Sequence, residues 1–368
     1  MTGGEVLSVL ALLLALVALA IALHGRRLLR ALPSLASAAV PPAAEPVVAE
    51  RPLVAFVANP TKPGVAALRD AAVSACAARY LPEPLWLETT EDDPGVGQAR
   101  RAVAEGARVV VAVGGDGTVR AVAEGLAGTG VPMGLVPQGT GNLLARNLDL
   151  PLGDVEALLR VAITGTDRPI DVGWLTVHRV AAAPEGGAVA AVGSEHLFLV
   201  IAGLGFDAAM VADTDEQLKA RVGWIAYFVA GVRHLHARRM RLEVTLDDGP
   251  WQVVRLRTLL VGNCGRLPGG ITLLPDALLD DGWLDVAAID TRGGLFGWTQ
   301  LAGEVAMQRF GVRTDLPNKI GSIDHARART ATVRTRDPQQ VQVDGDIVGA
   351  ALEISTRVDH LALTVRVP

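Results

Sequence analysis

Apolar runs bounded by polar turns recur along the chain, and their period changes twice. The first run, Val6–Leu23, is interrupted only by Ser8. At about 1.5 Å per residue, a helix of this length just spans a bilayer core. Arg26, Arg27 and Arg30 follow it, and no Lys or Arg precedes it, which predicts a membrane anchor with the C-terminal side in the cytoplasm. The competing reading is a cleaved signal peptide ending near Ala36-Ser37-Ala38. Such a peptide carries its positive charge ahead of the apolar run, which favours the anchor. Residues 31–51 are rich in Pro and Ala without an apolar period, as in a tether.

From Leu53 the pattern alternates between short buried strands and helical spacing. Strands are predicted at Leu53–Ala58, Leu85–Leu87, Arg108–Val113 and Met133–Val136. Helices are predicted at Ala66–Tyr80, Gln98–Glu105, Val119–Leu126 and Gly139–Asn147. Strands alternating with helices imply a parallel sheet covered on both faces. Beyond Asp167 strands dominate: Val172–Val177, Leu197–Ile201, Arg241–Leu246, Val253–Val261, Leu284–Ile289, Ala331–Thr335, Val341–Val343 and Leu361–Val367. Helical spacing returns at Val222–Leu235 and Leu295–Met307. Many strands with few helices imply an antiparallel second domain.

The 368 residues suit two domains, and half of them are apolar. The division falls at 1–25 for the anchor, 26–51 for the linker, 52–167 for the α/β domain and 168–355 for the β-rich domain. A segment near 356–368 returns to the α/β domain. A net charge of -5 gives no basic footprint for nucleic acid. The two cysteines, Cys76 and Cys264, form neither a disulfide framework nor a zinc spacing.

Gly114-Gly115-Asp116-Gly117-Thr118 follows a buried strand and opens a helix. Unpaired amides and the helix dipole at such a turn favour phosphate, and glycine permits close approach. Asp116 is out of place in a pure anion site and implies a metal-bridged or hydrogen-bonding role. Pro137-Gln138-Gly139-Thr140-Gly141-Asn142 repeats the arrangement, and Asn59-Pro60-Thr61-Lys62-Pro63-Gly64 follows the first strand. Loops at the carboxyl ends of neighbouring strands converge on one crevice. No G-x-x-x-x-G-K-[ST] occurs, so this is not a P-loop chain. Gly203-Leu204-Gly205-Phe206-Asp207-Ala208 lacks the downstream acidic residue of a dinucleotide fingerprint.

The GGDGT, PxGTGN and NPT loops together resemble the diacylglycerol kinase catalytic family, which includes bacterial lipid kinases and sphingosine kinases. NAD kinases share the GGDGT loop more distantly. Further on, Gly203–Ala208, Lys219 with Gly223 and Tyr227, Pro275-Asp276-Ala277 with Asp280-Asp281-Gly282, and Val343-Asp344-Gly345-Asp346 resemble later family motifs in the same order. The resemblance implies an α/β nucleotide-binding domain of NAD kinase/diacylglycerol kinase type and a β-rich lipid-substrate domain. It implies ATP and Mg²⁺ as cofactors and a membrane lipid as substrate.

By the same resemblance, ATP is bound by Asn59, Pro60, Thr61, Lys62, Pro63, Gly114, Gly115, Asp116, Gly117, Thr118, Val119, Arg120 and Thr140. Thr90, with Thr89 as the alternative, supplies a further threonine. Leu143 stands where many members have Asp. Asp346 corresponds to the general base, where many relatives have Glu; read alone, Asp344-Gly345-Asp346 is a hairpin turn. Asp281, with the carbonyls of Leu278 and Trp283, corresponds to a structural Mg²⁺ site. Asp207 is expected to line a cleft or cap a strand end. His234 and His236 form a basic cluster with Arg233, Arg238, Arg239 and Arg241, either a solvated helix end or a headgroup contact. Three functions stay open: a lipid kinase, a soluble-substrate kinase of NAD kinase type, and a silent lipid-binding homologue.

Overall fold

A computed structural model describes residues 53–180, 190–205, 239–267, 271–291 and 321–368. The anchor and tether expected before Leu53 lie outside these residues. So do Asp207, Lys219, His234 and His236, and the helices expected at Val222–Leu235 and Leu295–Met307. Among the described residues no helix is long and apolar enough to cross a membrane.

The first half alternates as its pattern requires: β1 (Leu53–Ala58), α1 (Val65–Ala77), β2 (Leu85–Glu88), α2 (Val96–Ala104), β3 (Ala107–Gly114), α3 (Asp116–Leu126), β4 (Met133–Pro137), α4 (Leu143–Asn147) and α5 (Val155–Thr164). β2, β1, β3 and β4 are parallel and adjacent in that order. Chain direction across the sheet reverses at β1, so the crevice beyond the carboxyl ends of β1 and β3 is the topological switch point. Small residues let the helices seat closely. A Cβ on Gly125 of α3 would meet Ala99 Cβ of α2 at 2.7 Å.

Two differences from expectation stand here. The helix expected from Gly139 starts at Leu143, because Asn142 takes a left-handed backbone with φ 49°. α5 was not expected; Asp154 caps it by accepting from the Ala157 amide at 2.9 Å.

The described residues of the second half form strands: β5 (Thr166–Arg179), β6 (Glu195–Phe198), β7 (Ile201–Leu204), β8 (Met240–Leu246), β9 (Gln252–Leu256), β10 (Thr258–Gly262), β11 (Arg266–Leu267), β12 (Ile271–Thr272), β13 (Leu284–Thr291), β14 (Gly321–Ala328), β15 (Thr330–Val343) and β16 (Asp346–Val367). β15 and β16 form a long antiparallel hairpin. β15 continues through β7, β10 and β13 to β14, all antiparallel. β16 pairs antiparallel with β5, and its end joins β4 in parallel at Val365 opposite Met133. The two halves therefore share one sheet.

The strand expected at Leu197–Ile201 is two strands, interrupted where the amides of Leu199 and Val200 turn to a side chain rather than a ladder. Val253–Val261 likewise divides at Arg257, whose amide donates to the Ile289 carbonyl at 3.0 Å. Ala331–Thr335 and Val341–Val343 merge into β15, and β16 is far longer than Leu361–Val367. β14 was not expected. Among the described residues, the buried apolar side chains form two clusters. One includes Phe56, Val110, Leu126 and Met133, the other Leu242, Val261, Val333 and Val341.

Candidate active site

The phosphate-type loop is shaped by steric exclusion. A Cβ on Gly114 would lie 2.5 Å from the Thr118 hydroxyl oxygen, so the strand can pass into α3 here only as glycine. Gly115 is the residue before α3, and among the described residues no side chain caps that helix end. Its first amides are left for a ligand. Thr118 and Val119 are buried beneath the turn and support it from below.

Asp116 has a defined partner set. Its carboxylate accepts from the Asn142 amide at 2.9 Å and the Leu143 amide at 2.6 Å. It ties the GGDGT turn to the start of α4 in the hydrogen-bonding role that its odd position suggested. Burial pushes its carboxyl above the ordinary range, opposed by the amides of Leu143, Asn142 and Asp116 itself, while Asp346 nearby adds an upward push. The GTGN loop closes over the first loop. Gly139 donates to Asn142 Oδ1 at 3.0 Å, and a Cβ on Gly139 would meet Gly115 Cα at 2.9 Å. Thr140 is exposed at the tip.

The first loop lies on the same side. The Asn59 amide donates to the Val113 carbonyl at 2.9 Å, holding the loop to the end of β3. Asn59 Oδ1 accepts from the Thr61 amide at 3.0 Å and its hydroxyl at 2.7 Å. Pro60, Thr61 and Pro63 are exposed, and Lys62 reaches inward until its Cε lies 3.8 Å from where a Gly115 Cβ would stand. Thr89 is buried, with its amide on the Ala58 carbonyl. Thr90 is exposed and closes a turn by accepting from the Asp93 amide at 3.1 Å. The three loops are thus neighbours at one crevice.

The β15–β16 hairpin enters that crevice from the β-rich half. Its turn, Asp344-Gly345, has φ 50° and 93°, the two positive values of a tight two-residue turn. Asp344 is half-buried, with its carboxylate turned inward to accept from the amides of Leu199 at 2.8 Å, Val200 at 2.9 Å and Ile201 at 2.9 Å. Burial nevertheless outweighs these donors and the nearby Arg120 charge, and its carboxyl is pushed up to about 6. Asp346 differs in kind: its side chain is 62% exposed and faces α3. A Cβ on Gly117 would lie 3.6 Å from Asp346 Oδ2. The tight turn therefore leaves Asp346 facing α3. Arg120 donates to Asp346 Oδ2 at 2.7 Å and to the Val343 carbonyl at 2.7 Å. His196 is pushed below its ordinary range, first by burial and then by Arg120.

The metal assignment fares differently. Asp281 accepts from the Trp283 amide at 3.1 Å with one oxygen and pairs with Arg327 through the other. Arg327 also stands 3.8 Å from Asp285, and Trp283 lies beneath Arg327 and Arg329. Leu278 is exposed. The Asp281, Leu278 and Trp283 set does not fit a divalent ion, because a guanidinium already holds the place of the positive charge. The described residues contain no cluster of three or more His, Cys, Asp or Glu suited to a metal.

The diacylglycerol kinase catalytic domain profile matches residues 55–175, and that of the YegS C-terminal NAD kinase beta sandwich-like domain matches residues 200–367. A Pseudomonas aeruginosa protein named "Probable lipid kinase YegS-like" is 35% identical over 232 residues, 60% of this chain and 69% of its own length. A Cronobacter sakazakii protein of the same name is 34% identical over 197 residues, 51% of this chain and 60% of its own length. The crystal structure of a diacylglycerol kinase from Bacillus anthracis covers 87% of this chain and 98% of its own, with a TM-score of 0.64 at 21% identity. That likeness establishes the shared fold. Two domain profiles in succession and a relative at 35% identity agree with the loops and hairpin described above, and the chain belongs to the diacylglycerol kinase catalytic-domain family, among the YegS-like lipid kinases.

Proposed function

We propose that this protein transfers the γ-phosphoryl group of ATP to a hydroxyl of diacylglycerol or a related membrane lipid. The observation that carries the reading is the placement of the Asp346 carboxylate against Gly117, at the uncapped start of α3. A base and a phosphate-binding helix end then face one another across a crevice. ATP supplies the transferred group, and the residues supply position and charge. Gly115, Gly117 and the helix start hold phosphate oxygens, with Lys62 over Gly115 as countercharge. Asp346 accepts the proton of the attacking hydroxyl. Mg²⁺ belongs to this reading as the companion of the nucleotide, with no role for Asp281 as its ligand.

The apolar segment Val6–Leu23, followed by Arg26, Arg27 and Arg30, supports a membrane anchor with the crevice on the cytoplasmic side. An anchor holds the enzyme where a two-chain lipid resides.

The test is transfer of label from γ-labelled ATP in mixed micelles holding diacylglycerol, monoacylglycerol, ceramide or phosphatidylglycerol, with NAD as a soluble acceptor. Label is expected in one lipid and absent from NAD. Transfer to NAD alone, or ATP binding without transfer to any acceptor, would sink the proposal.

A further inference from the structure

Arg120 lies one turn into α3, on the nucleotide side of the crevice, yet both arms of its guanidinium reach the opposite hairpin. One arm meets the Val343 carbonyl, just before the turn, and the other meets Asp346 Oδ2, just after it. The Arg120 side chain is 22% exposed, so the fork is largely fixed by packing. Asp346 is mostly exposed and follows a two-residue turn, so its own surroundings do little to hold its rotamer. A carboxylate placed beside Gly117 also faces a charge problem. Phosphates drawn to the start of α3 and the Asp346 carboxylate repel one another unless a cation stands between them.

We propose that Arg120 is a positioning residue that clamps the hairpin and shields the Asp346 carboxylate from the nucleotide phosphates. It keeps Oδ2 occupied and leaves Oδ1 free to face the lipid hydroxyl. This role rests on the function proposed above and replaces the direct ATP contact that family resemblance implies for Arg120. The planar fork matters, because an ammonium cannot hold a carbonyl and a carboxylate in fixed directions at once.

The experiment measures ATP affinity by calorimetry and lipid transfer by steady-state kinetics in the full chain with Mg²⁺. Arg120→Gln should weaken ATP about tenfold, because an unpaired carboxylate then faces the phosphates. It should lower kcat about 10²-fold with little change in KM for the lipid. Adding Asp346→Asn to Arg120→Gln should bring ATP affinity back to within about threefold of wild type without restoring turnover. Arg120→Lys keeps the charge and gives a second reading should the glutamine variant fold poorly. It should hold near-normal ATP affinity while losing about tenfold in kcat.

The clamp is overturned by any of three results. ATP affinity could stay weak in the double variant, which would make Arg120 a phosphate ligand. Arg120→Lys could lose as much ATP affinity as Arg120→Gln. Arg120→Gln could leave both affinity and kcat unchanged. Should the wild type phosphorylate no lipid, the proposed function falls, and the affinity rescue in the double variant still decides the clamp.

Discussion

The glycine turn at the end of β3 and the hairpin between β15 and β16 solve the same problem in different dielectric settings. Each contains an aspartate whose oxygens are taken by backbone amides of a neighbouring segment. Asp116 holds the Asn142 and Leu143 amides, and Asp344 holds those of Leu199, Val200 and Ile201. In both, the aspartate shapes the loop, while its neighbours Gly115, Gly117 and the Arg120-paired Asp346 face the crevice. The difference is depth. Asp116 borders the open crevice, whereas the Asp344 carboxylate turns inward onto the junction of β6 and β7, and it is pushed up to about 6 despite three donors. Two acidic residues two positions apart, Asp344 and Asp346, therefore belong to different parts of the machine.

The largest effect should separate those two. Asp346→Asn keeps the shape of an exposed side chain and removes the proton acceptor. It should lower kcat by about 10²–10⁴-fold while leaving ATP affinity within about threefold and thermal stability unchanged. Steady-state kinetics with calorimetry checks this. Unaltered turnover would remove Asp346 as the base and dissolve the contrast.

Asp344→Ala should do the reverse, acting on the fold. Three buried amides lose their acceptor, at a cost of about 3–5 kcal/mol measured by urea denaturation at neutral pH. The pH dependence follows from the raised value. The folded state holds the Asp344 proton up to about pH 6, whereas the unfolded state releases it near the ordinary carboxylate value. Between those limits the folded state binds more protons, so stability from this group grows as pH falls from about 6 to about 4. Wild type should gain up to about 3 kcal/mol over the alanine variant across that window. A difference that stays constant with pH would show that Asp344 is not titrating as a buried acid.

Much of this arrangement is legible in the sequence, and what is not has a common cause. The loops after β1, β3 and β4 are readable because each is a local device: glycine where a Cβ collides, Asn59 closing its own turn, a buried strand ahead. α5 is legible too, since Asp154 precedes an apolar face at Ala157, Leu158, Val161 and Ala162, although the sequence expectation contains no helix there. Side-chain pairings across long separations are not legible. Arg120 and Asp346 meet only because β16 crosses from the hairpin to β4. Arg327 reaches Asp281 only because β13 and β14 pair with Asp285 opposite Arg327. Nothing local in Asp280-Asp281-Gly282 distinguishes a carboxylate awaiting a cation from one already paired. The break between β6 and β7 is likewise written at Asp344, far along the chain.

The smallest effect tests whether Asp116 is a lesser copy of Asp344. Asp116→Asn keeps one acceptor oxygen and turns an amide donor toward the other backbone N–H. The lost bond lies beside a solvent-lined crevice, where water replaces part of it, so the cost should be about 1 kcal/mol. The loop it anchors touches Gly115 through Gly139, so slackening should spread to the phosphate-facing amides. ATP affinity should fall about three- to tenfold while kcat at saturating ATP changes less than about threefold. Amide exchange at Asn142 and Leu143 should quicken in the variant, and ATP should suppress the increase. Should kcat fall as steeply as in Asp346→Asn with affinity intact, Asp116 would act on the reacting groups rather than on the loop. The parallel between the two braces would then fail at its shallower member.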